Sequence, residues 1–66
     1  MMKEYFRIER NGALSPEDVY TQLGEQTDFL APDCCGGGIG LDDVRKMMEE
    51  NWITLEGDEI IVWVHA

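Results

Sequence analysis

The stretch that most constrains what this chain can fold into is Asn51 to His65, N-W-I-T-L-E-G-D-E-I-I-V-W-V-H. A two-residue loop at Gly57-Asp58 sets Glu56 opposite Glu59, Leu55 opposite Ile60, Thr54 opposite Ile61, Ile53 opposite Val62 and Trp52 opposite Trp63. One face of that hairpin then carries Ile53, Leu55, Ile60, Val62 and Val64, and the other carries Trp52, Thr54, Glu56, Glu59, Ile61, Trp63 and His65. Side chains alternate along a pleat and a one-residue slip would mix the two sets, so the pattern predicts the register as well as the hairpin. The stretch contains no catalytic motif, and most of what can be said of function comes from charge.

A hairpin alone is marginal in water, whereas three strands sharing an apolar face are not. Lys3 to Arg10 alternates, with Phe6 and Ile8 on one side and Tyr5, Arg7 and Glu9 on the other, and Asn11-Gly12 ends it. It is expected to join the hairpin in one antiparallel sheet, which brings its bases near the hairpin's acids. Between these strands the run L-S-P-E-D-V, residues 14 to 19, reads as a helix start. Ser15 caps, Pro16 takes the first helical position, where no N–H is needed, Glu17 and Asp18 favour the positive end, and Leu14 staples onto Val19. Val19, Tyr20 and Leu23 form its apolar stripe, and Gly24 is a stop unless the helix runs a turn further.

From Gly24 to Gly40 no period is visible, and loops this long are uncommon in compact domains. Phe29, Leu30 and Ile39 are its expected anchors to the core. Leu41 to Glu50 reads as a second helix, apolar along Leu41, Val44, Met47 and Met48, with Asp42/Lys46, Arg45/Glu49 and Lys46/Glu50 as i,i+4 pairs and Asn51 as its end. The predicted fold is a single α+β domain over residues 1–66, a small three-stranded antiparallel sheet packed with two short helices in the order β-α-α-β-β. The helices can cover only one face of such a sheet, so the Trp52, Ile61 and Trp63 cluster is either capped by a helix, the expected case, or left as an interface.

A 66-residue chain removes only about 60% of its unfolded surface from water, and its stability is expected to be marginal. Its apolar share of 44% supplies one small core and argues against intrinsic disorder. Charge is the outlying property, with 14 acids against 5 bases and a net of −9. Asn11 to Val44 holds seven acids and no base, and Met47 to the C-terminus holds five more, again with no Lys or Arg. Phosphate contacts need clustered Lys and Arg, so direct nucleic-acid binding is disfavoured. No apolar run is long enough for a membrane span and the N-terminus does not read as a signal peptide, which predicts a cytoplasmic protein.

No candidate for chemistry withstands inspection. The C-C-G-G-G-I-G run at 34 to 40 before a helix invites a phosphate-loop reading, but the Lys and Ser/Thr are missing and Asp42 and Asp43 would repel the anion. Zinc through Cys34, Cys35 and His65 fails on spacing. A disulfide between Cys34 and Cys35 would have to close on Cα atoms about 3.8 Å apart, against the roughly 4.4 to 6.8 Å such bonds span, so free thiols in a reducing compartment are expected. The segment is acidic, which works against an activated thiol. His65 is the sole histidine, has no placed partner and is expected at the surface. The chain is read as no enzyme, without metal or cofactor.

The acids remain. A solvated surface that keeps a small protein soluble is their plain explanation. Against it, Glu49 and Glu50 sit at the negative end of their helix and Glu56 faces Glu59 across the turn, local costs that point to another use for the charge. Self-repulsion at −9 would be relieved by a basic partner.

The chain as a whole, from M-M-K-E-Y-F-R-I-E-R-N-G at the start to W-I-T-L-E-G-D-E-I-I-V-W-V at the end, resembles the small acidic phage anti-CRISPR proteins that inhibit type I systems, the type I-C system in particular. Those inhibitors share no common fold or signature, so no functional residue transfers. The resemblance implies a monomeric inhibitor that binds a basic surface on a Cas subunit of the surveillance complex, its carboxylates standing where target-DNA phosphates would lie. The expected contacts are Glu17, Asp18, Glu25, Asp28, Asp33, Asp42 and Asp43, with Glu49 and Glu50 next. The alternative is a small winged-helix-like transcriptional regulator, from the helix at 41 to 50 followed by a two-stranded wing, or an adaptor using the tryptophan face. A recognition helix with only Arg45 and Lys46 as bases counts against the regulator.

Overall fold

A computed structural model describes residues 1–12, 15–32 and 36–66. Five elements follow one another as β1 (Met2–Glu9), α1 (Pro16–Gln26), α2 (Leu41–Glu49), β2 (Ile53–Glu56) and β3 (Glu59–His65). The strands form one antiparallel sheet in the order β1-β3-β2, an α+β fold with the most apolar strand in the middle.

The hairpin register is the one its alternation dictates: Ile53 faces Val62, Thr54 faces Ile61, Leu55 faces Ile60 and Glu56 faces Glu59. A backbone bond from the Trp63 N–H to the Trp52 carbonyl, 2.8 Å, extends the pairing one step further. Gly57 takes φ 57°, the left-handed conformation that the first position of so tight a turn requires and that other residues adopt at a cost.

Strand β1 begins and ends one residue earlier than the pattern suggests, though Arg10 still donates its N–H to the Asp58 carbonyl at 2.7 Å. Asn11 and Gly12, at φ 46° and 78°, then turn the chain away. One departure matters more. The register shifts between Glu4 and Phe6, so Tyr5 is the extra residue of a bulge and does not continue the Arg7 and Glu9 row. Its ring instead meets Phe6 and Phe29.

Helix α1 starts as its capping residues dictate, with Pro16 in the first turn and the Asp18 N–H donating to Ser15 Oγ at 3.3 Å. Leu14, the expected staple, lies outside the described residues. Gly24 does not stop the helix. It runs to Gln26, and Thr27 ends it by returning both its N–H (3.0 Å) and its hydroxyl (2.7 Å) to the Leu23 carbonyl. Helix α2 ends at Glu49 with Asn51 in the left-handed region, φ 65°. Bonds from Asn51 N–H to the Met48 carbonyl and from Trp52 N–H to the Met47 carbonyl complete a Schellman-type end that aims the chain into β2.

Both helices pack on the same face of the sheet. Val19 and Leu23 of α1 and Val44 of α2 meet Ile53, Ile60 and Val62, all essentially without solvent exposure. The connection between the helices is anchored by Phe29, Leu30 and Ile39, as expected, and the Ile39 N–H reaches the Leu30 carbonyl. Gly38 lies so close to Leu30 and Pro32 that an added Cβ would stand 3.2 to 3.3 Å from their backbone atoms. The opposite face of the sheet therefore has no helix over it, contrary to the expectation of a cap over the tryptophans: a single layer of two short helices suffices for only one face. Trp52 and Trp63 are half-buried, while Ile61 is 1% exposed, set by register between Arg7 and Thr54. Among the described residues no helix is long and apolar enough to cross a membrane.

Candidate functional site

The acids separate into two populations according to what the fold places beside them. Capping chemistry puts Glu17 and Asp18 in the first turn of α1 and Asp42 and Asp43 in the first turn of α2, where they complement the positive helix ends. Asp43 is partly spent on the fold, because its Oδ2 accepts the Gly40 N–H at 3.1 Å. That contact fills one of the backbone donors a phosphate-binding reading of the glycine run would need. Glu25 and Glu49 lie in the last turns of their helices and Glu50 caps α2, positions where a negative charge meets the negative helix end.

Across the helix layer one ion pair forms. Arg45 Nη2 meets Glu17 Oε1 at 2.8 Å and ties α2 to α1. Glu17 is held below the usual carboxylate range, first by its own backbone N–H and then by Arg45. This is a correction to the expected helix pairs: Asp42/Lys46, Arg45/Glu49 and Lys46/Glu50 do not close among the described residues, and Arg45 reaches the neighbouring helix instead of Glu49. Asp18, Glu25, Asp42, Glu49 and Glu50 are all exposed and make no ion pair among the described residues.

The sheet's outer face is arranged differently. Glu9, Glu59 and Glu56 form one cross-strand row, a like-charge arrangement that is unfavourable by itself. Arg7 offsets it. Its Nη1 donates to Glu59 Oε1 at 2.8 Å and its Nε to Glu4 Oε2 at 3.0 Å, with a further contact from Nη2 to Glu4 Oε1. Hydrogen bonding to Arg7 lowers the Glu4 pKa, and the two carboxylates raise that of Arg7. Beside them the Trp63 indole N–H donates to the Thr54 hydroxyl at 2.9 Å, so the indole is polar-satisfied while its rings stay half exposed.

Of the nine residues expected to meet a partner, seven lie on or at the ends of the two helices: Glu17, Asp18, Glu25, Asp42, Asp43, Glu49 and Glu50. The structure brings α1 and α2 together in one layer. Asp28 stands elsewhere in chemistry, on the wall of an open groove with Tyr5, Phe6, Thr27 and Phe29. Asp33 lies outside the described residues, as do Cys34 and Cys35. His65 is exposed at the end of β3, opposite Met2. The reading from charge alone missed the groove, although adjacent aromatics at Tyr5 and Phe6 in a strand, one of which must leave the core face, were its available signal. No family model, curated protein or solved structure matches the chain.

Proposed function

We propose that this protein is an inhibitor of the anti-CRISPR type, acting in the cytoplasm, that binds a basic surface of a type I surveillance complex and blocks target DNA there. The observation that carries the reading is the helix layer: six acids against two bases on α1 and α2, one of those bases already bound to Glu17, in a chain of net charge −9. Unpaired carboxylates on this layer keep their field available to a partner, and a groove built for DNA phosphates has the complementary sign. Asp18, Glu25, Asp42, Glu49 and Glu50 are the contacts this arrangement favours, with Glu17 and Asp43 contributing less because Arg45 and the Gly40 N–H already hold them.

The test is competition between the protein and target duplex for a purified type I-C complex, read by gel shift. The triple variant Glu25→Lys, Glu49→Lys, Glu50→Lys should lose inhibition, and added salt should slow association of the unaltered protein. Full inhibition by the triple variant, or binding indifferent to molar salt, would sink the reading.

One observation favours a second reading, an adaptor that docks through the sheet: Trp52 and Trp63 are half-buried on a face no helix covers. In that case Trp63→Ala abolishes association and the helix variants leave it intact. The regulator reading has less support, since Arg45, half of its basic pair, is engaged with Glu17.

A further inference from the structure

The bulge in β1 does something the charge pattern does not require. It turns Tyr5 out of the strand's alternation and toward Phe6 and Phe29, yet leaves it 60% exposed. The three rings meet edge to face or tilted, with centroids 5.2 Å apart for Tyr5 and Phe6, 5.4 Å for Phe6 and Phe29, and 6.3 Å for Tyr5 and Phe29. With Thr27 and Asp28 they line an open groove of about 350 Å³. That is the small end of the roughly 300 to 1,000 Å³ range of ligand clefts, room for a side chain rather than a large molecule.

The polar groups of the groove decide what fits. Thr27 is occupied, its hydroxyl donating to the Leu23 carbonyl and accepting the Phe29 N–H. The Asp28 carboxylate, by contrast, makes no hydrogen bond or ion pair among the described residues, although the Asp28 carbonyl accepts the Ala31 N–H. Aromatic faces are electronegative and attract cations, and a free carboxylate beside them adds direction. A planar guanidinium satisfies both at once, stacking on a ring while its fork pairs with the acid, which an ammonium does less well. A second copy of the chain is an unsuitable occupant, because each copy brings a net −9.

We propose that the Tyr5, Phe6 and Phe29 groove takes one arginine side chain of a basic partner protein, the guanidinium lying against the Tyr5 and Phe29 rings and paired with Asp28. This deepens the reading above, resting on the partner being a basic protein surface, but its test needs no CRISPR complex and so can fail or succeed independently. The unpaired helix acids steer; the groove anchors one residue of the surface they attract.

The experiment is an NMR titration of the ¹⁵N-labelled protein with a short neutral-ended peptide carrying one arginine, against the same peptide carrying citrulline, which keeps the shape and loses the charge. Saturating shifts at Tyr5, Phe6, Asp28 and Phe29 with the arginine peptide, and none there with citrulline, are expected. Tyr5→Leu keeps an apolar residue at an exposed position, and should weaken the arginine response about two- to fivefold, the size of an exposed cation–π contact. Asp28→Asn should weaken it as well, with the spectrum outside the groove unchanged. Equal responses to arginine and citrulline, shifts confined to the helix acids, or an undiminished response in Tyr5→Leu would overturn the proposal.

Discussion

The helix layer and the outer face of the sheet carry acids under opposite rules. On the sheet, Glu4 and Glu59 are gathered around a single arginine, and Arg7 also lies across from Ile61, which is buried without a helix above it. On the helices, Arg45 takes up Glu17, and Asp18, Asp42, Glu25, Glu49 and Glu50 face solvent without an ion-pair partner among the described residues. The difference teaches that Arg7 is placed where like charges would otherwise disturb the fold. Like charges crowded across a strand pair raise the cost of the sheet, so they are offset locally, whereas helix acids spaced along a solvated layer are tolerated and remain available to something outside.

Core substitutions should separate the two faces most strongly. Leu23→Ala opens a void beneath the helices and is expected to cost about 2 to 5 kcal/mol, against the low end of that range for Ile61→Ala, where exposed side chains can settle into the gap. Urea unfolding of both variants measures the contrast, and equal losses would mean that the outer face is packed as firmly as the core.

The next effect has opposite signs in fold and function. Glu25→Lys and Glu49→Lys put cations at negative helix ends and should each raise stability by about 0.3 to 1 kcal/mol at low salt, while partner binding falls. A stability loss on thermal unfolding would show that these acids serve the fold. Salt gives a smaller version of the same split: moderate sodium chloride should raise the unfolding midpoint by screening self-repulsion and slow association with a basic partner.

The smallest expected effect is the pH dependence of the ion pairs. Glu4 and Glu17 are lowered from 4.5 in the folded protein, so what they contribute is present above that value and lost as pH falls through their folded values. Arg7→Met keeps an apolar stem opposite Ile61 and removes the charge. It should erase the Glu4 share of this acid sensitivity and leave that of Glu17, as ¹³C titration of the two carboxyls would reveal.

Much of the architecture was legible because its signals are local. Alternation within a few residues defined the hairpin, and Ser15, Pro16 and the two acids after them defined the start of α1, since each acts on its own backbone neighbours. The helix layer among the expected contacts was legible for the same reason, as Glu17, Asp18, Asp42 and Asp43 sit where helix starts place acids. Helix ends were harder to read. Gly24 resembles a stop, but the Thr27 hydroxyl and N–H, both directed at the Leu23 carbonyl, make a better one.

By itself, then, the sequence determined the element order, the hairpin register, the capped start of α1 and the excess of acid, and the first three follow from bonds and periodicities a few residues long. Only the tertiary structure decided which sheet face the helices cover, that Arg45 pairs with Glu17 and not along its own helix, and that a bulge sends Tyr5 to Phe29. Those outcomes depend on contacts between residues far apart in the chain, whose geometry is set by packing one short helical layer against a twisted sheet, and no local pattern encodes the side on which that packing occurs.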